Sequence, residues 1–164
     1  MIRLVMADDH PVVREITGYV LALAPDVELV GEAVNGEEVL NRVRDGQFDL
    51  LLLDMNMPGI SGVELIERVK LCRATLPILV YTMHNDVQVA MRVIKAGASG
   101  LLTKDSDPEQ LLAAIRKVSA GGKYLDPAVV EQIAMDFESS NLQLPQTSLA
   151  DREMEVFRLL VEGK

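Results

Sequence analysis

Short apolar runs recur along the chain at Ile2–Ala7, Val27–Ala33, Leu50–Leu53, Ile78–Thr82 and Gly100–Thr103. Between them the apolar positions switch to helical spacing, which predicts helices over 11–23, Gly36–Asp45, 61–73, Val87–Ala96 and 108–120. The helix starts carry their own signals. Pro11 suits a first helical position, and Asn35 suits a cap before "GEEVLNRV". Ser61 with Glu64, and Asp107 with Gln110, have capping-box spacing. The third and fourth runs, "LLLL" and "PILVY", are continuous rather than alternating, as in strands covered on both faces. Five such strands joined by helices predict an α/β fold: a doubly wound parallel sheet with helices on both sides.

Beyond Gly122 the pattern changes. "DPAVVEQIAMDF" reads as a further helix, and "ESSNLQLPQTS", polar and aperiodic with Pro145, reads as a linker. The last segment, "LADREMEVFRLLVEGK", regains helical spacing through Met154, Phe157, Leu160 and Val161. The division expected is a domain over 1–122, a helix and linker over 123–148, and the start of a second domain over 149–164.

Composition narrows the function. Aromatic residues are 4% of the chain against 49% hydrophobic, so the core must be aliphatic. A net charge of -9 argues against the whole chain being a nucleic-acid or membrane-surface binder, because phosphate neutralisation needs clustered cations. Cys72, the single cysteine, can form no internal disulfide and no cysteine zinc cluster. No apolar run has membrane-spanning length, and the N-terminus does not read as a signal peptide. A cytoplasmic protein with no membrane partner is expected.

The chemistry lies where the runs end. Asp8 and Asp9 close the first, Asp54 the third, Thr82 the fourth, and Lys104 the fifth. In a parallel sheet these ends share one edge, and ligands sit beyond it. One aspartate after a strand is usually a turn or cap residue, and one lysine is usually solvated. Three carboxylates, a hydroxyl and an ammonium converging together point further. Oxygen donors favour a hard cation such as Mg2+. Asp54 is then placed to be a nucleophile in phosphoryl transfer, with Thr82 and Lys104 engaging the phosphoryl oxygens. His10 reads as a loop residue rather than a ligand. The stripe Leu111, Leu112, Ile115 and Val118 reads as ordinary core.

With "DD" at Asp8–Asp9, "DMNMPGISG" from Asp54, Thr82 and "LLTKD" around Lys104, the chain resembles bacterial two-component response regulators over 1–122. "IKAGASGLLTKD" resembles the NarL/FixJ subfamily, with LuxR-type helix-turn-helix output. The tail from Leu149 resembles the first helix of that output domain, with Ala150 where threonine is usual. The resemblance implies a flavodoxin-like receiver with strand order 2-1-3-4-5. It implies a histidine kinase as phosphodonor to Asp54. Mg2+ would be held by Asp9, Asp54 and the backbone carbonyl of Asn56, with Asp8 acting largely through water. Asn56 and His84 match positions that tune autodephosphorylation. Leu101 departs from the pattern, standing where a switching tyrosine or phenylalanine is usual. It also implies homodimerisation on phosphorylation, and DNA binding only through a complete output domain, of which this chain holds the first helix.

Two other classes compete. A phosphohydrolase of the haloacid-dehalogenase type also uses an aspartate nucleophile with Mg2+, but it needs a general acid two residues on. Asn56 occupies that position and cannot supply one. An enzyme with turnover is therefore not expected, only self-phosphorylation and autodephosphorylation at Asp54. A phosphorylation-independent interaction module with the same fold draws support from Leu101, but nothing structural requires the five strand-end residues. A flavodoxin-like cofactor binder would need a glycine-rich phosphate loop after the first strand, where this chain has acids.

Overall fold

The structure is a computed structural model and describes residues 1–83, 86–132 and 134–135. Strand and helix alternate: β1 (Ile2–Ala7), α1 (Pro11–Ala22), β2 (Val27–Ala33), α2 (Gly36–Asp45), β3 (Leu50–Leu53), α3 (Gly62–Cys72), β4 (Ile78–Thr82), α4 (Val87–Ala96), β5 (Gly100–Thr103), α5 (Pro108–Ser119) and β6 (Tyr124–Leu125). The sheet is parallel throughout and runs β2-β1-β3-β4-β5-β6. The expected five-strand order is present, extended by β6. Two residues are too few to show a period, so β6 has no signature in the sequence. Residues 127–132 are helical, and Val129 is fully buried in the core. The whole linker, 138–148, and the segment 149–164 lie outside the described residues.

Alternation along the strands divides the core in two. Val5, Ala7, Leu51, Leu53, Ile78, Val80 and Leu101 face one side, against Val39, Val43, Leu65, Ile66, Val69 and Val93 of α2, α3 and α4. Leu4, Met6, Leu50, Leu52, Leu79 and Leu102 face the other, against Leu21 of α1 and Leu111, Ala114, Ile115 and Val118 of α5. All four residues of β3 are buried, which is why its sequence shows no alternation. Each such leucine contributes on the order of 2 kcal/mol of transfer free energy. Phe48 is the single aromatic in the buried core among the described residues.

The helix starts follow their sequence signals with one exception. Asn35 accepts from Glu38 N at 2.8 Å, and Glu38 Oε1 in turn accepts from Val34 N at 3.0 Å. Asp107 and Gln110 form both arms of a capping box. Ser61 holds the cap position of α3, but its side chain makes no capping bond. Gly36, the first residue of α2, lies against the loop after β3: a β-carbon there would stand 2.0 Å from the Ile60 carbonyl oxygen. Only glycine allows that approach. α1 starts at Pro11 after His10 in the cap position and leaves Val12, Ile16 and Tyr19 exposed along one side, continued by Leu23 at its end. Among the described residues, no helix is long and apolar enough to cross a membrane.

Candidate functional site

The chain winds one way from β1 to β2 and the other way from β3 onward, so a crevice opens at the carboxyl ends of β1 and β3. Neighbouring strand ends hold the backbone of each predicted site residue. Asp8 N donates to Ala33 O at 3.0 Å, Asp54 N to Ala7 O at 2.9 Å, and Lys104 N to Thr82 O at 2.7 Å. These bonds extend the sheet ladder by one residue and fix the side chains that follow.

Asp8 and Asp54 are buried, each 3% exposed, and Asp9 is half-buried. Lys104 reaches across from β5 with its ammonium 2.6 Å from Asp8 Oδ2 and 3.5 Å from Asp54 Oδ1. Asn56 N donates to Asp54 Oδ1 at 3.3 Å, while the Asn56 residue as a whole is exposed. Burial alone would raise the Asp8 carboxyl, but hydrogen bonds from Lys104 and His10 outweigh it and hold Asp8 below the ordinary carboxylate range. Asp54 is pushed up. Burial is the main cause, and the Asp8 charge adds to it against the pull of Lys104.

One residue of the site was read from the sequence as a loop residue only. His10 Nδ1 lies 2.9 Å from Asp8 Oδ1, 3.1 Å from Asp9 Oδ1 and 3.8 Å from Asp54 Oδ2. Its backbone N–H also donates to Asp8 Oδ1 at 2.9 Å. The signal available was its position directly after two acids, which places its ring at the same strand end. Thr82 is fully buried at the adjoining end of β4. Leu101 is not at the site: its side chain is fully buried in the core on the α2–α4 side of the sheet. His84 lies outside the described residues.

The donor atoms fit a cation. Ligand atoms of Asp8, Asp9, His10 and Asp54 all lie within 4.8 Å of one another. Asp9 Oδ1 and Asp54 Oδ2 are buried and accept no hydrogen bond. A buried carboxylate oxygen that accepts no hydrogen bond costs free energy, and these two lie 3.1 and 3.8 Å from the same His10 ring nitrogen. Lys104 alone supplies less charge than the three carboxylates carry.

Residues 4–116 match the family model of the response regulator receiver domain. The chain belongs to the response regulators. Within this family it is similar to the response regulator UvrY of Escherichia coli K12, at 32% identity over 165 residues, covering 100% of this chain and 76% of that protein. It is equally similar to the nitrate/nitrite response regulator protein NarL of the same strain, at 32% identity over 98% of this chain and 75% of that protein. Among solved structures, a LuxR-family two-component response regulator from Aurantimonas sp. SI85-9A1 superposes with a TM-score of 0.79 at 33% identity, covering 82% of this chain and 96% of that one. The isolated receiver domain of RcsB from Salmonella enterica, solved with the phosphomimetic BeF3-, superposes with a TM-score of 0.74 at 27% identity over 79% of this chain and 96% of that one. Receivers of this family partner with histidine kinases. The strand-end crevice is thus the receiver's acidic site, and the residues predicted to converge there are Asp8, Asp9, Asp54 and Lys104, with Thr82 on the neighbouring strand.

Proposed function

We propose that this receiver accepts a phosphoryl group on Asp54 from a phosphohistidine of its kinase. An Asp54 carboxylate oxygen attacks phosphorus, the P–N bond breaks, the imidazole leaves, and an acyl phosphate forms on Asp54. The observation that carries this reading is the Asp54 carboxylate itself, buried with Oδ2 accepting no hydrogen bond while Lys104 holds an ammonium 3.5 Å from Oδ1. One oxygen is left for the reaction, and a cation already stands beside the other.

Asp9 and Asp54 are the side chains that would hold Mg2+ directly, with the Asn56 carbonyl as a backbone ligand and Asp8 acting largely through water. Mg2+, when bound, supplies positive charge that offsets the charge of an incoming phosphoryl group among the carboxylates. Lys104 engages a phosphoryl oxygen on the β5 side, and the Thr82 hydroxyl engages another from β4. Asn56 and His84 set how long the acyl phosphate survives. The phosphorylated state favours a homodimer and controls a DNA-binding output domain of the type whose first helix 149–164 resembles. Modification works here as a bias between two conformations, through charge and acceptor oxygens added at one strand end.

Intact masses of the protein incubated with Mg2+ and acetyl phosphate test the reading, beside Asp54→Asn. One added phosphoryl group in the wild type and none in the variant is expected. Uptake of the same size in Asp54→Asn, or none in either with Mg2+ bound, removes Asp54 as the acceptor.

A further inference from the structure

Asp126 is a buried carboxylate outside the acidic crevice, 5% exposed, and it stands between two elements of different roles. Its Oδ2 accepts from Thr103 N at 3.2 Å, Thr103 Oγ1 at 2.9 Å and Ser106 Oγ at 3.2 Å. Its Oδ1 accepts from Ala128 N at 2.9 Å, and its carbonyl from Val130 N at 3.0 Å. One oxygen thus holds the turn that follows β5, and the other caps the helix that begins after β6. Its own N–H donates to Leu101 O at 2.9 Å, continuing the β5–β6 ladder.

The turn that Asp126 holds is the one that carries Lys104. Thr103 precedes Lys104 directly, and its amide and hydroxyl both end on the same Asp126 oxygen. The Thr103 hydroxyl has one proton and a second carboxylate beside it, Asp105 Oδ1 at 2.5 Å, so it has two acceptors to choose between. Lys104 in turn reaches Asp8 and Asp54. A continuous chain of polar contacts therefore runs from Asp54 through Lys104 and the 103–106 turn to Asp126 and the helix at 127–132. Buried hydrogen bonds of this kind resist independent movement of their two ends, because breaking one strands a buried partner.

We propose that Asp126 is a positioning residue that couples Lys104 to the start of the helix at 127–132, so that displacement of Lys104 at the acidic site is passed to residues 126–132. The coupling is a property of the fold. Its physiological trigger rests on the reading of Asp54 as phosphoacceptor, since a phosphoryl group there would draw Lys104 from Asp8. The route leaves the sheet at its β6 edge and continues directly into the chain that leads on from the receiver.

Amide hydrogen exchange of the segment 124–132 in the full chain tests this in two arms. Asp126→Asn suits the purpose because asparagine keeps a capping oxygen for Ala128 N but puts an NH2 group or a rotated amide where Oδ2 accepts from Thr103 N. In the first arm no phosphoryl group is used. Lys104→Gln is expected to speed exchange at 126–132 by about fivefold in the wild-type background and to add little on top of Asp126→Asn. An effect of equal size in both backgrounds, or none in the wild type, overturns the coupling. Lys104→Met, which removes the ammonium at similar side-chain length, gives the same comparison if Lys104→Gln fails to fold by circular dichroism.

In the second arm acetyl phosphate and Mg2+ are added and intact mass follows uptake. Asp126→Asn is expected to take up one phosphoryl group while the exchange response at 126–132 is lost. A response retained in full in that variant overturns the proposal. Wild-type protein that takes up nothing defeats the Asp54 reading alone, and the first arm still decides the coupling.

Discussion

The decisive residue is Asp54, and its burial has a consequence for stability. Its carboxyl is raised by burial and by the Asp8 charge, so the folded state holds a proton on it more tightly than the unfolded chain does. That contribution is fully present below the ordinary carboxyl range and is lost as pH rises through the raised value. Asp8 has the opposite sign: lowered by Lys104 and His10 despite burial, it stabilises above the ordinary range and loses that contribution as pH falls through its lowered value. Without metal at neutral pH, an ionised Asp54 with one oxygen accepting no hydrogen bond is therefore a cost. Asp54→Asn should raise the melting temperature of the metal-free protein near pH 7, by a stability gain of about 1–3 kcal/mol. Calorimetry should show the gap narrowing as pH falls toward about 4. A variant less stable than wild type near neutrality would contradict this balance. Asp54 and Asp8 were legible as a pair at strand ends. Which of them holds the lysine at 2.6 Å was not, because that choice depends on how a side chain from β5 crosses two strands.

At the scale of elements, the caps separate sequence signal from structural use. Asp107–Gln110 and Ser61–Glu64 have the same spacing, but only the first closes a capping box. Asp107→Ala should cost about 1 kcal/mol, whereas Ser61→Ala should cost below about 0.5 kcal/mol. Urea unfolding of the two variants side by side measures the difference, and equal losses would show that Ser61 caps α3 in solution. The five longer strands and α2 and α4 stand at the limits their patterns predicted, because periodicity and turn chemistry are set by neighbours a few residues away. β6 escaped that reading. Its two residues pair with Gly100–Leu101, and the pairing is supported by Asp126, whose bonds to Thr103 span 23 residues.

For the molecule as a whole, a cation bound in the crevice should stabilise the entire fold, since its ligands come from β1 and β3 at the centre of the sheet. Binding to the folded state alone adds about 2.7 kcal/mol at a free concentration of about one hundred times Kd. Thermal melts in rising Mg2+ should therefore shift upward for the wild type and remain flat for Asp54→Asn. A flat wild-type titration would mean that these carboxylates do not hold the ion. The same two-sided core makes this linkage global: β3 is covered on both faces, so the strand bearing Asp54 cannot loosen without opening both halves.

The parallel α/β architecture, the position of each long strand and the convergence of Asp8, Asp9, Asp54 and Lys104 on one edge were all written in the chain order. Continuous apolar runs can be covered only from both faces, and parallel strands bring their carboxyl ends to the same side. The three-dimensional structure alone settled the rest: His10 turned into the acids, Lys104 nearer to Asp8 than to Asp54, Leu101 fully in the core, and Asp126 bridging the lysine turn to the next helix. Those outcomes depend on side chains that meet across many residues of intervening chain, where spacing along the sequence carries no information about which oxygen finds which donor.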